Sequence, residues 1–255
     1  LVPKTADGRV LFAVPWLGKV ILGTTDTPRQ DLAREPRPFA DEVAFILSES
    51  ARYLRRAPTR ADVRSCWVGL RPLVKPPENT DEKTKGLSRE HTVLVSQSGL
   101  VTVTGGKWTT YRAMAEDVVQ KCMQESLLAG KSGGVSAHFL LVGADDQGAL
   151  ARSIGDAPGL PAYGSEGLFV MALPGARREL GGGLTEAMVR FAVRHEYART
   201  VEDVLARRSR MLFLDARLAG KIAKEVGAIV GGETGFDPEI AQFETLARKY
   251  LEFPD

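Results

Sequence analysis

Two short apolar runs, residues 9–14 and 19–23, flank the turn-like Trp16-Leu17-Gly18 and predict a β-hairpin. Residues 39–54 then carry Val43, Ile46, Leu47 and Leu54 at helical spacing. Residues 63–74 read as a strand, and the polar stretch 75–85, holding Pro76 and Pro77, as an exposed loop. A second hairpin is expected from 91–95 and 100–104, separated by Gln97-Ser98-Gly99. From Thr109 a helix should follow, with Met114, Val118 and Cys122 on one stripe.

Beyond this point the pattern changes. Gly130-Lys131-Ser132-Gly133-Gly134 reads as a linker, and a Gly/Pro-rich region runs through 155–183. From Leu184 onward the periodicity is helical, with Met188, Phe191 and His195 on one face of the first segment. Thr200 with Asp203 forms a capping-box pattern, Asp215 is placed to cap a helix, and Asp237-Pro238 signals a further helix start. The expected organisation is α+β over residues 1–130, an irregular linker over 131–183 and an all-α domain over 184–255.

Composition narrows the class. The chain has 255 residues, 44% hydrophobic and 26% charged, as in ordinary globular proteins. A net charge of +2 gives no argument for nucleic acid. Cys66 and Cys122 are the only cysteines and are far apart, so neither a disulfide framework nor a metal site is indicated, and a reducing compartment is expected. No apolar run approaches the roughly 20 residues that cross a bilayer, and no signal peptide is evident. The chain opens at Leu1 inside a strand-and-turn pattern, which reads as a piece of a longer protein.

Candidate chemistry concentrates in Val101-Thr102-Val103-Thr104-Gly105-Gly106-Lys107-Trp108-Thr109-Thr110-Tyr111-Arg112. Its composition suggests a phosphate loop, but its spacing does not. A Walker loop needs glycine five residues before Gly106, where Val101 stands, and Ser or Thr after the lysine, where Trp108 stands. No Gly-x-Gly-x-x-Gly dinucleotide fingerprint occurs anywhere in the chain. What remains is a strand, two glycines and a helix start, which aims free N–H groups and a positive dipole end at one point beside Lys107. The competing account is a tight turn with glycines for geometry and Thr109 as helix cap. From the residues alone both stand.

Four ordered motifs carry a resemblance: Gly23-Thr24-Thr25-Asp26, Val68-Gly69-Leu70-Arg71-Pro72-Leu73, Leu87-Ser88-Arg89-Glu90-His91, and the Gly105-Gly106 stretch. With them go Ala192-Val193-Arg194-His195-Glu196-Tyr197-Ala198-Arg199-Thr200 and Glu202-Asp203-Val204-Leu205-Ala206-Arg207-Arg208. The sequence resembles the carboxy-terminal half of FAD-dependent, quinone-linked glycerol-3-phosphate dehydrogenases.

That resemblance implies part of a D-amino-acid-oxidase-type FAD-binding fold followed by a helical domain. The implied reaction is oxidation of sn-glycerol 3-phosphate to dihydroxyacetone phosphate, with hydride passing to FAD and electrons to quinone. It further implies that Gly105, Gly106, Thr109 and Thr110 line the flavin. Lys107 would act catalytically beside substrate and ring, and Arg71 and Arg89 would clamp the substrate phosphate, as paired guanidiniums can. The amino-terminal half of the same chain would supply the FAD phosphate loop and the general base, leaving these 255 residues inactive alone.

Other readings stay open. Thr25 and Asp26 are either turn residues or pocket lining. His91 is expected to be structural, His138 exposed, and His195 a core or interface histidine. Arg194, Arg199, Arg207, Arg208 and Arg210 read as solvated helix faces among acidic neighbours, against docking on an anionic membrane. A homodimer, a cytoplasmic location and peripheral contact with the inner face of the cell membrane are further expectations. The rival functions are a related FAD-dependent amino-acid or amine oxidase and a non-catalytic helical interaction module.

Overall fold

The computed structural model describes residues 5–6, 8–71, 90–130, 134–144 and 153–254. The chain gathers into two compact units, one of Leu1–Thr27, Asp31–Val68 and Leu141–Asp255, the other of Pro28–Gln30 and Gly69–Leu140.

In the first unit, β1 (Phe12–Trp16) and β2 (Lys19–Gly23) pair antiparallel, with Trp16 opposite Lys19. Leu17 and Gly18 both have positive φ (46° and 76°), the two-residue turn whose twist matches that of paired strands. Helix α1 (Ala40–Ala51) follows, with Asp41 and Glu42 in its first turn, where the helix dipole favours negative charge.

The helical part begins in the Gly/Pro-rich stretch. Residues 160–166 wind as a tight helical turn into α3 (Gly167–Met171), and a short ladder of β5 (Glu179–Gly181) and β6 (Leu184–Thr185) leads into α4 (Glu186–His195). After it come α5 (Met211–Leu214), α6 (Ala216–Thr234) and α7 (Ile240–Lys249). Val189, Phe191, Val201, Leu205, Leu212, Val226, Val230 and Phe243 form its core, each under 3% exposed. Full burial of such side chains contributes about 1.5–3 kcal/mol apiece.

Two start signals hold as read. Thr200 Oγ1 accepts from Asp203 N–H (3.1 Å) while Asp203 Oδ2 accepts from Thr200 N–H (3.1 Å), a reciprocal capping box opening a wide helical turn over Asp203–Arg208. Asp215 Oδ1 caps α6 by accepting from Leu218 N–H at 2.9 Å.

Three expectations are corrected. Residues 63–71 form no strand. Instead the chain there is tied to the helices: Leu212 carbonyl accepts from Ser65 Oγ (2.8 Å), Tyr250 carbonyl from Cys66 N–H (2.9 Å), and Arg64 carbonyl from Ala216 N–H (3.1 Å). Trp67 stands edge-on to Phe213 at 5.2 Å. Tertiary partners satisfy the backbone that a strand neighbour would have used. Asp237 does not begin α7 either. Its Oδ1 accepts from Glu239 N–H (2.9 Å), Pro238 carbonyl accepts from Val201 N–H (2.9 Å), and the helix opens two residues later, after Glu239 at φ 59°. Of the two places expected for His195, the core is excluded, because the side chain is exposed, with its ring tilted against that of Phe191 at 4.7 Å.

In the second unit, β3 (His91–Val95) pairs antiparallel with β4 (Val101–Gly105), placing His91 opposite Gly105. A loop of five residues joins them, closed by Ser96 carbonyl accepting from Gly99 N–H, with Gly99 at φ 82°. Helix α2 (Tyr111–Gln124) follows a tight turn at Trp108–Thr110. The expected loop at 75–85 lies outside the described residues.

Candidate functional site at the Gly105-Gly106 turn

β4 ends at Gly105, and the chain reverses into α2 through two consecutive left-handed residues, Gly105 at φ 76° and Gly106 at φ 78°. A β-carbon on Gly105 would fall 2.6 Å from the Glu90 carbonyl oxygen. One on Gly106 would meet Met114 Sδ at 2.6 Å and His91 Cβ at 3.0 Å. Both glycines are therefore required by geometry, and the space beside their Cα atoms is filled by protein. Any ligand would meet this turn through its N–H groups.

Those groups are available. Among the described residues, the N–H groups of Gly106, Lys107, Trp108 and Thr109 donate to no acceptor. Thr109 is not the cap. It is Thr110 that folds back, donating through both N–H and Oγ1 to the Lys107 carbonyl at 3.0 Å. Lys107 is extended (φ −133°, ψ 144°), and its side chain is exposed. Trp108 is 85% exposed and stacks on Tyr111 at 5.3 Å. The result is a row of free donors, a helix start and a cation, an arrangement suited to an anionic or developing-negative oxygen.

Arg71 is exposed and belongs to the same unit as this turn. Arg89, its expected partner in a phosphate clamp, lies outside the described residues. His91, half-buried, bonds through Nε2 to Asp117 Oδ2 at 2.7 Å, and His138 is exposed.

The Gly23-Thr24-Thr25-Asp26 motif has an organiser that sequence reading missed. Glu42, 9% exposed, accepts from Thr25 Oγ1 and Thr27 Oγ1 through Oε1 (both 2.7 Å) and from Phe39 N–H through Oε2 (3.0 Å). The one available signal was its position three residues into α1, where a carboxylate can cap.

Arg194, Arg199, Arg207, Arg208 and Arg210 are each engaged internally, Arg210 with the Arg208 carbonyl. Arg199 donates to the Val193 and Ala198 carbonyls, Arg208 to the Glu196 and Asp203 carbonyls, and Arg207 pairs with Glu202. Arg194 binds Glu233 at 2.7 Å. Among the described residues, no helix is long and apolar enough to cross a membrane.

Residues 1–112 match the family model of FAD dependent oxidoreductases, and residues 136–241 match that of the C-terminal domain of alpha-glycerophosphate oxidase. The mitochondrial glycerol-3-phosphate dehydrogenases of Arabidopsis thaliana and Homo sapiens are each 36% identical, over 99% and 98% of this chain and 44% and 37% of their own lengths. That of Schizosaccharomyces pombe is 34% identical over 98% of the chain and 46% of its length. The chain thus carries both domain matches and is similar to these dehydrogenases over nearly its whole length. It spans less than half the length of these relatives. Within the family match, the Gly105-Gly106 turn, Lys107 and Arg71 all fall in the FAD dependent oxidoreductase portion. The helical part from α4 into α7 falls in the alpha-glycerophosphate oxidase portion. The α+β portion followed by a helical domain agrees with both matches.

Proposed function

We propose that this chain provides the flavin- and substrate-facing portion of an enzyme that oxidises sn-glycerol 3-phosphate to dihydroxyacetone phosphate. The observation that carries the reading is the row of N–H groups from Gly106 to Thr109, without an acceptor among the described residues and set at a helix start beside exposed Lys107. Bound FAD would supply the two-electron chemistry, accepting hydride from carbon 2 of the substrate. The residues present fit the anionic edge of a flavin ring and not its pyrophosphate, for which the chain holds no glycine fingerprint.

In this reading the N–H row and the helix dipole stabilise negative charge as it develops, a term worth several kcal/mol in a water-poor site. Lys107 adds a point charge beside ring and substrate. Thr109 and Thr110 form the ring-facing rim, while Gly105 and Gly106 keep the turn tight enough to present it. Arg71, with Arg89, holds the phosphate dianion by bidentate hydrogen bonds. Electrons leave to a quinone, and the boundaries near residues 130 and 184 separate the flavin-facing part from the helical domain.

The test uses the full-length protein. Lys107→Ala should lower kcat/KM for glycerol 3-phosphate by about 100-fold, the scale of losing one stabilising donor. Arg71→Ala should raise KM for glycerol 3-phosphate far more than for glycerol. Unchanged kcat/KM in the first variant removes the turn from the active site. Equal losses for both substrates in the second remove Arg71 from the phosphate clamp.

A further inference from the structure

The Gly105-Gly106 turn is wedged between two elements, and a single side-chain hydrogen bond spans them. His91 opens β3 and stands opposite Gly105, its Cβ 3.0 Å from where a β-carbon on Gly106 would lie. Met114 of α2 closes the other side of Gly106. Asp117 lies three residues beyond Met114, on the same helix face. His91 Nε2 meets Asp117 Oδ2 at 2.7 Å, so the bond reaches from the strand to the helix directly behind the turn. Among the described residues it is the only side-chain hydrogen bond linking the β3–β4 hairpin to α2.

The N–H groups of Gly106–Thr109, without an acceptor among the described residues, lie in the segment that joins β4 to the start of α2. Their aim therefore depends on the angle between helix and hairpin. At the turn itself the packing runs through Met114, a flexible thioether that resists rotation poorly. Hydrogen-bonded support is what holds reacting groups within the fraction of an ångström that catalysis needs.

We propose that His91 and Asp117 are a positioning pair that aims the Gly106–Thr109 donor row and Lys107 at the flavin and substrate. Neither residue touches the reacting atoms. The proposal rests on the reading of the turn given above. An ångström of misplacement at a catalytic group costs on the order of 100-fold, so loss of this tie should appear in kcat more than in KM.

The experiment uses the full-length flavoprotein and reads kcat per bound flavin, KM for glycerol 3-phosphate and the reduction potential of the flavin. His91→Ala and Asp117→Ala should each lower kcat per bound flavin about tenfold or more. KM should change less than about threefold, and the potential should become more negative as the negative charge of reduced flavin loses its donors. Asp117→Asn, which keeps an acceptor oxygen, should recover most of the rate and potential. Asp117 is exposed at the surface, so its variants fold even if His91→Ala does not. The proposal is overturned if Asp117→Ala leaves kcat per bound flavin and potential unchanged, or if every loss follows flavin content alone. Lys107→Ala separates the two levels. If it too is silent, the reading of the turn fails; if only it is active, the pairing alone is wrong.

Discussion

A methyl group on Gly105 would collide with a backbone carbonyl, whereas on Gly106 it would meet chiefly the end of a flexible methionine. Both positions are left-handed, so alanine is strained at either. Gly105→Ala adds a clash that only backbone movement can relieve, and it should destabilise the protein by about 2–4 kcal/mol. Gly106→Ala should cost less, because Met114 can swing aside. Urea unfolding of both variants checks the order; equal or reversed losses would show that the Glu90 carbonyl yields. The two glycines were legible as a turn from sequence alone. That protein fills the space around them, leaving only N–H groups for a ligand, was not.

At the scale of elements, the hairpin turns and the caps on Thr200 and Asp215 were legible because each is decided by residues within five positions. Partners at a distance decided the rest. Glu42 organises residues 25–27 from 15 and 17 positions away, and Arg190 and Arg194 of α4 reach Glu233 on α6. Hydrogen bonds from Arg194 and then Arg190 hold the Glu233 carboxyl below the ordinary glutamate range, and those from Arg190 and Arg178 do the same for Glu186. A carboxyl lowered in the fold adds stability that is present above its unfolded value of about 4.3 and lost as pH falls through the folded value. Glu196 opposes this. Burial raises its carboxyl, so its charge weighs against the fold above the raised value and ceases to do so in acid. Glu233→Gln should therefore lower Tm at pH 7, and the gap from the parent should close below about pH 4. Thermal melts across that range test it; a gap independent of pH would show that the α4–α6 ion network does not titrate with folding.

Over the whole molecule, contacts gather the first 27 residues and residues 31–68 with the helices, because residues 64–66 bond to α5, α6 and the Tyr250 carbonyl at the end of α7. Periodicity could not show this, since an extended segment reads the same whether a strand or a helical bundle receives it. The chain holds no glycine fingerprint for a dinucleotide pyrophosphate, so these 255 residues purified alone should be colourless and should retain no flavin after gel filtration from an equimolar FAD mixture. Stoichiometric yellow flavin on the isolated chain would show that other residues anchor the cofactor.

The sequence by itself carried the resemblance, through ordered motifs, and the two hairpins and the caps at Thr200 and Asp215, through periodicity and residues that act within a helical turn. It also excluded a phosphate loop, because that function depends on spacing. Only the tertiary structure decided that the donors from Gly106 to Thr109 meet no acceptor among the described residues, that Glu42 holds Thr25 and Thr27, and that His91 meets Asp117. Each of those depends on which groups remain unsatisfied once distant segments pack together, and a hydrogen bond across 26 residues leaves no periodic trace in the chain.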